Sequence, residues 1–149
     1  MAKRNLRILF IVLILIALMS SYSGAESNVS IEVKIILATQ KKGSVDPRLQ
    51  GLTRDLQSVL KYSSYELLGS KNISLARGGT GSVALPDNGV LKIVSRGIEG
   101  NRVILDIEIL KNNSSIIHSV IKLRNNDRTT IGGSEYRGGK LLLNIFASF

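Results

Sequence analysis

The chain has 149 residues, with 20 Lys plus Arg against 11 Asp plus Glu, one His, and neither Cys nor Trp. That length suits one domain rather than two. Without Cys there is no disulfide framework, no thiolate-held zinc or iron–sulfur cluster and no thiol nucleophile, and a single imidazole excludes a multi-histidine metal site.

Lys3, Arg4 and Arg7 precede an uncharged run from Ile8 to Met19, and Ser23-Gly24-Ala25 supplies small residues at alternate positions. This order predicts a secretory signal peptide over residues 1–25, cleaved after Ala25. The other reading is a retained membrane anchor. Twelve apolar residues make about 18 Å of helix against roughly 30 Å of hydrocarbon, which favours cleavage. Residues 26–149 are then a single exported domain, periplasmic or secreted, with 17 basic and 11 acidic residues and a formal charge of +6. A chain of this size can bury a sufficient core without disulfides.

Ile31, Val33, Ile35 and Leu37 alternate with Glu32 and Lys34, the period of a strand. Asp46-Pro47 then predicts a helix start, with Asp46 as N-cap and Pro47 at the first helical position. Leu49, Leu52, Leu56, Val59 and Leu60 form one apolar stripe, and Lys61 falls in the expected last turn. Strands follow to the end. Tyr65–Leu68 and Asn72–Arg77 read as two short ones interrupted near Gly69. Ser82–Leu85 and Val90–Gly97 flank the turn residues Pro86-Asp87-Asn88-Gly89. Next come Val103–Leu110, Ile116–Arg124 and a closing run with Leu141, Leu143, Ile145, Ala147 and Phe149 on one parity. The fold class is α+β and β-rich: a mostly antiparallel sheet or sandwich with one N-terminal amphipathic helix. The closing apolar parity also mimics an outer-membrane barrel strand, but the helix and the short strands speak against that architecture.

The alternation also sets registers. Pairing residues whose numbers sum to 200 puts Leu91, Ile93, Ser95 and Gly97 opposite Ile109, Ile107, Leu105 and Val103. A sum of 226 puts Ile117, Ser119, Ile121 and Leu123 opposite the same four. A slip of one residue would turn either apolar set outward. Lys92, Glu108 and His118 then form one row on the outer face, with Glu108 as a structural salt link between the other two.

Candidate chemistry is sparse. His118 is the one imidazole for acid–base work, yet it lies on a predicted outer strand face beside Glu108, and no Gly-x-Ser-x-Gly elbow is present. Asp106 and Glu108 share a face, but Lys92 beside Glu108 would lower its pKa, whereas a general acid needs it raised. Gly132 to Lys140 invites a phosphate-loop reading and fails it: Ser134 stands at the first Gly position, Leu141 at the Ser/Thr position, and a strand follows instead of a helix. No catalytic, metal or cofactor set emerges. Arg124, Arg128, Arg137 and Lys140 concentrate positive charge near the C-terminus. In an exported chain with only Tyr136 nearby to stack, they point to an envelope protein or an anionic surface polymer rather than to nucleic acid.

The segment Leu123-Arg124-Asn125-Asn126-Asp127-Arg128-Thr129-Thr130-Ile131-Gly132-Gly133 resembles one in bacterial secretins, whose pattern is roughly Leu-Arg-Asp-Gly-Gln-Thr-Val-Val-Ile-Gly-Gly. Leu123, Arg124, Ile131, Gly132 and Gly133 match it. Asn126 stands where the family has Gly, and both residue types tolerate positive φ. Arg128 replaces a Thr. The resemblance spans 11 residues and implies a strand–turn–strand unit and an accessory role beside such machinery. The reading of the whole chain is a small, non-enzymatic binding or assembly module of the cell envelope. Its alternatives are an accessory of a secretin-type secretion or pilus apparatus, and a hydrolase.

Overall fold

The computed structural model describes residues 27–149, so the signal-peptide reading lies outside it. Strand β1 (Val29–Thr39) buries Val29, Ile31, Val33, Ile35 and Leu37 on one face, and Ile36 and Ala38 on the other. β8 (Gly139–Ser148) does the same with Leu141, Leu143, Ile145 and Ala147 against Leu142. Strands apolar on both faces need a layer on each side. Both layers are present.

β1 and β8 are the inner strands of a four-stranded sheet, completed by β2 (Ser64–Leu75) next to β1 and β7 (Asp127–Tyr136) next to β8. A second four-stranded sheet follows chain order: β3 (Thr80–Ala84), β4 (Gly89–Glu99), β5 (Arg102–Lys111) and β6 (Ser114–Arg124). All pairings between these strands are antiparallel. No ladder joins β2 to β3 or β6 to β7, so the eight strands make a sandwich with two open corners instead of a closed barrel. The inner faces meet in one apolar core that draws on both sheets, from Val33, Ile35 and Leu143 on one side to Leu91, Ile93 and Ile107 on the other. This is the β-rich α+β class that the apolar patterns predict.

The third layer is the helix. Asp46 caps a 3-10 turn (Pro47–Leu49), accepting a hydrogen bond from the Arg48 amide at 3.0 Å, and α1 (Gln50–Val59) continues from it. The Arg48 side chain and amide, with the Leu67 amide, hold the Asp46 carboxyl far below the usual carboxylate range. Leu49, Leu52 and Leu56 pack on Ile36, Ala38, Tyr65 and Leu142, the outward residues of the first sheet. The Tyr65 hydroxyl donates to the Leu60 carbonyl at 3.3 Å and anchors the helix end to β2. α1 stops at Val59, because Leu60 turns extended, so Lys61 lies beyond the helix and not in its last turn.

Three departures from the patterns share one cause, the β-bulge. β2 is a single strand where two were expected. Its register against β1 skips Leu68, between Gly69 opposite Ile35 and Leu67 opposite Ile36. β7 runs on through the glycine-rich stretch to Tyr136 by bulging between Gly132 and Glu135, and only Arg137 and Gly138, both at positive φ, make the turn. β4 follows the sum of 200 from Leu91 to Ser95 and then shifts, so that Gly97 faces Ile104 and not Val103. Gly97 sits at φ +102°, a conformation side chains avoid, and Arg77 lies across the space a Cβ would fill. The β5–β6 register follows the sum of 226 from Arg102 to Ile109.

Candidate functional site

Covering the first sheet with α1 leaves a cleft of about 390 Å³ between the helix and the outer face of β7 and β8. One wall is apolar: Leu52, Leu56 and Leu60 with Tyr62, and Leu142 at the floor. The other carries Arg128, Thr130, Gly132 and Lys140. Such a volume lies within the roughly 300–1,000 Å³ of ordinary ligand sites, and apolar walls with a few placed polar groups are their usual make-up.

Each polar group has a local reason for its place. Asn144 is an outward residue of β8 and only 2% exposed. Its Nδ2 donates to the Thr129 carbonyl at 3.3 Å and to Thr130 Oγ1 at 2.9 Å, which commits the donor to β7 where the residue lines the cleft. Arg128 stands opposite Phe146, with its guanidinium 5.4 Å from the ring centroid. That contact steers the cation along the sheet. Lys140 reaches across β7 through the gap at Gly132, where an added Cβ would come within 3.3 Å of its Cε and 3.7 Å of its Nζ. The five ion pairs among the described residues include neither Arg128 nor Lys140. Asp55 of α1 is the one acid on the cleft wall.

The four basic residues singled out in the sequence do not form one surface. Arg128 and Lys140 share the cleft. Arg137 lies in the β7–β8 turn, its guanidinium 5.0 Å from the Tyr136 ring centroid. Arg124 belongs to the second sheet, opposite Arg102 at the end of β6. The secretin-like segment spans the end of β6, the Asn125-Asn126 connection and the start of β7. Its connection is tied to the chain terminus, with the Asn126 amide donating to Ala147 and the Phe149 amide to Asn125 Oδ1. No family model, curated protein or solved structure matches the chain.

On the outer face of the second sheet, Lys92 stands opposite Glu108, and Glu108 opposite His118. The salt link forms elsewhere. Among the described residues Glu108 takes part in no ion pair, and Asp106 gathers the charges. The β4 bulge turns Arg96 onto Asp106 in a bidentate pair of 2.6 and 2.8 Å, and His118 Nε2 leans toward Asp106 Oδ1 at 3.8 Å. The expected Lys92–Glu108–His118 link is therefore corrected to Arg96–Asp106–His118. His118 is 63% exposed there.

A third polar group escaped the pattern altogether. The Asp87 carboxylate, 4% exposed, accepts from the Gly89 amide, the Ser134 hydroxyl and, at 3.4 Å, the Lys111 ammonium. Burial alone would push this carboxyl up, but those three donors outweigh it and hold it below its usual range. Ser134 sits in the β7 bulge, so this contact ties the β3–β4 turn to the opposite sheet. Among the described residues no group of three or more His, Asp or Glu is placed to hold a metal ion, and no helix is long and apolar enough to cross a membrane.

Proposed function

We propose that the chain is a non-enzymatic binding module of the cell envelope, and that its cleft holds an extended segment of a partner protein carrying acidic and apolar side chains. The observation that supports this most is the pair of cations that form no ion pair among the described residues, Arg128 and Lys140, set along an apolar floor. Arg128 faces Phe146, six residues along β8 from Lys140. Six residues of strand cover roughly 20 Å, the reach of an equally extended peptide. Carboxylates on the ligand would meet the two cations, and apolar side chains would lie on Leu56, Leu60 and Leu142. Desolvated charge pairs flanking an apolar centre give both attraction and register.

The test is photo-crosslinking of the full chain in its own host. A photoreactive residue at position 55, in the cleft, should capture a discrete partner, and one at position 94, on the uncovered sheet, should not. Charge reversal at both Arg128→Glu and Lys140→Glu should abolish the adduct, and the captured peptide should contain acidic and apolar residues. An adduct that survives both reversals, or none from position 55, overturns the reading.

A further inference from the structure

A different part of the molecule, the edge of β6, is open in the second sheet. β6 is eleven residues long and, among the described residues, hydrogen-bonded to β5 on one side only. An edge strand offers a row of unpaired backbone donors and acceptors, and proteins guard such rows with short strands, bulges, proline or inward-pointing charge. The other three edges show these guards. β3 has five residues, and both β2 and β7 are broken by bulges. β6 has no Pro from Ser114 to Arg124 and its charged residues all point outward; its one bulge skips Ile116, near its start, and leaves Ile117–Arg124 in unbroken register. It also carries two of the three exposed large hydrophobic residues, Ile116 at 45% and Val120 at 44%.

The spacing of those two residues selects the partner. They flank His118 symmetrically, and all three point outward. We infer that β6 pairs antiparallel with β6 of a second copy of this chain, about a two-fold axis at His118, to make one eight-stranded sheet. In that register Ile116 meets Val120 of the other copy twice over, and His118 meets its own counterpart. Lys122 and Arg124 then lie beside the start of the other copy's β6 and its Asn112-Asn113 turn, so no like charges of Lys or Arg stand opposite one another. Centring the pair on Ser119 instead sets Ile116 against Lys122, and centring it on Val120 sets Ile116 against Arg124. Only the axis at His118 joins both exposed apolar residues to each other. A self-complementary patch of this kind is what a two-fold interface requires. On the inner face, half-buried Ile117 gains Ser119 of the other copy as a neighbour at the open corner of the sandwich.

The full chain contains no Cys, so an introduced one reports on contact. Residues directly opposite in an antiparallel pair have Cα atoms about 4.5–5.5 Å apart, within disulfide range. Under mild oxidation His118→Cys should give a crosslinked dimer, and a mixture of Ile116→Cys with Val120→Cys should give the mixed dimer. Ile116→Cys alone should give at least tenfold less, because its own counterpart lies roughly 13 Å further along the strand. Lys34→Cys, on the other sheet, should give none. Separately, the unaltered chain should sediment as a dimer and Val120→Lys as a monomer. Crosslinking at residue 116 alone that equals the mixed pair, no product at residue 118, or a monomeric unaltered chain would each overturn the inference.

Discussion

The two outer faces of this sandwich begin from similar strands and end differently. On the first sheet, the inner strands β1 and β8 carry Ile36, Ala38 and Leu142 outward, and α1 buries them. On the second, the inner strands β4 and β5 carry Lys92, Asp106 and Glu108 outward among Val90, Val94 and Leu110, and no helix of the described residues covers them. An unbroken apolar run such as Ile35 to Ala38 or Leu141 to Leu143 marks a strand buried on both sides, whereas a carboxylate at every second position marks one wet face. The difference separates the two uses proposed for the molecule. A covered face leaves a cleft at the margin of its cover, and an uncovered sheet leaves an edge.

The largest effects should come from the cover. Leu142→Ala removes the floor that α1 packs on and should cost about 2–5 kcal/mol in urea unfolding. Leu110→Ala, the half-buried counterpart on the uncovered face, should cost less than about 1 kcal/mol. Equal losses would mean that α1 adds no burial of consequence.

Next in size is the tie between the sheets. Asp87→Asn keeps the shape but weakens the bonds to Lys111 and Ser134, and should cost about 1–3 kcal/mol at neutral pH. The sign of its pH dependence follows from a folded-state carboxyl held below its unfolded value. The stabilisation is fully present above the unfolded pKa of about 3.9 and is lost as pH falls through the lower folded pKa. Unfolding curves of the wild-type chain and the variant should therefore separate above pH 5 and draw together as pH falls below the unfolded pKa of about 3.9. A constant offset at all pH values would contradict the ionised tie.

The uncovered face should show the smallest effects. Asp106→Asn, which loses both Arg96 and His118, should cost about 0.5–1 kcal/mol, and Glu108→Gln should stay within about 0.5 kcal/mol. A larger loss from Glu108 than from Asp106 would restore the link read from the sequence.

These contrasts also mark where the sequence stops being legible. The registers of β5 against both neighbours follow from period-two alternation, because a slip by one residue turns a whole apolar set into water. Bulges defeat that reasoning. One extra residue at Arg96, Leu68 or within Gly133-Ser134 leaves the composition unchanged yet re-aims every side chain beyond it. That is why Asp106, and not Glu108, became the charged centre, and why Ser134 reaches Asp87. The cleft was hidden for a different reason: it exists only once α1 lies across β7 and β8, and residues 52–62 are far in sequence from 128–144. Its faintest trace is Asn144, a lone polar residue between Leu142 and Phe146 on the outward parity of β8. Arg128 and Lys140 were visible as charge, but nothing local separated them from Arg124 and Arg137.

Under the proposed function the cleft, and not net positive charge, selects the ligand. The most direct measurement is the affinity of the full chain for a fluorescent probe peptide of alternating Glu and Leu, read by anisotropy for two double variants. Arg128→Glu with Lys140→Glu should weaken binding at least tenfold, about 1.4 kcal/mol. Arg102→Glu with Arg124→Glu, the same change in charge on the second sheet, should leave it within twofold. Asp55→Asn should strengthen it. Equal weakening by both double variants would contradict the account, because attraction would then follow net charge and not the cleft.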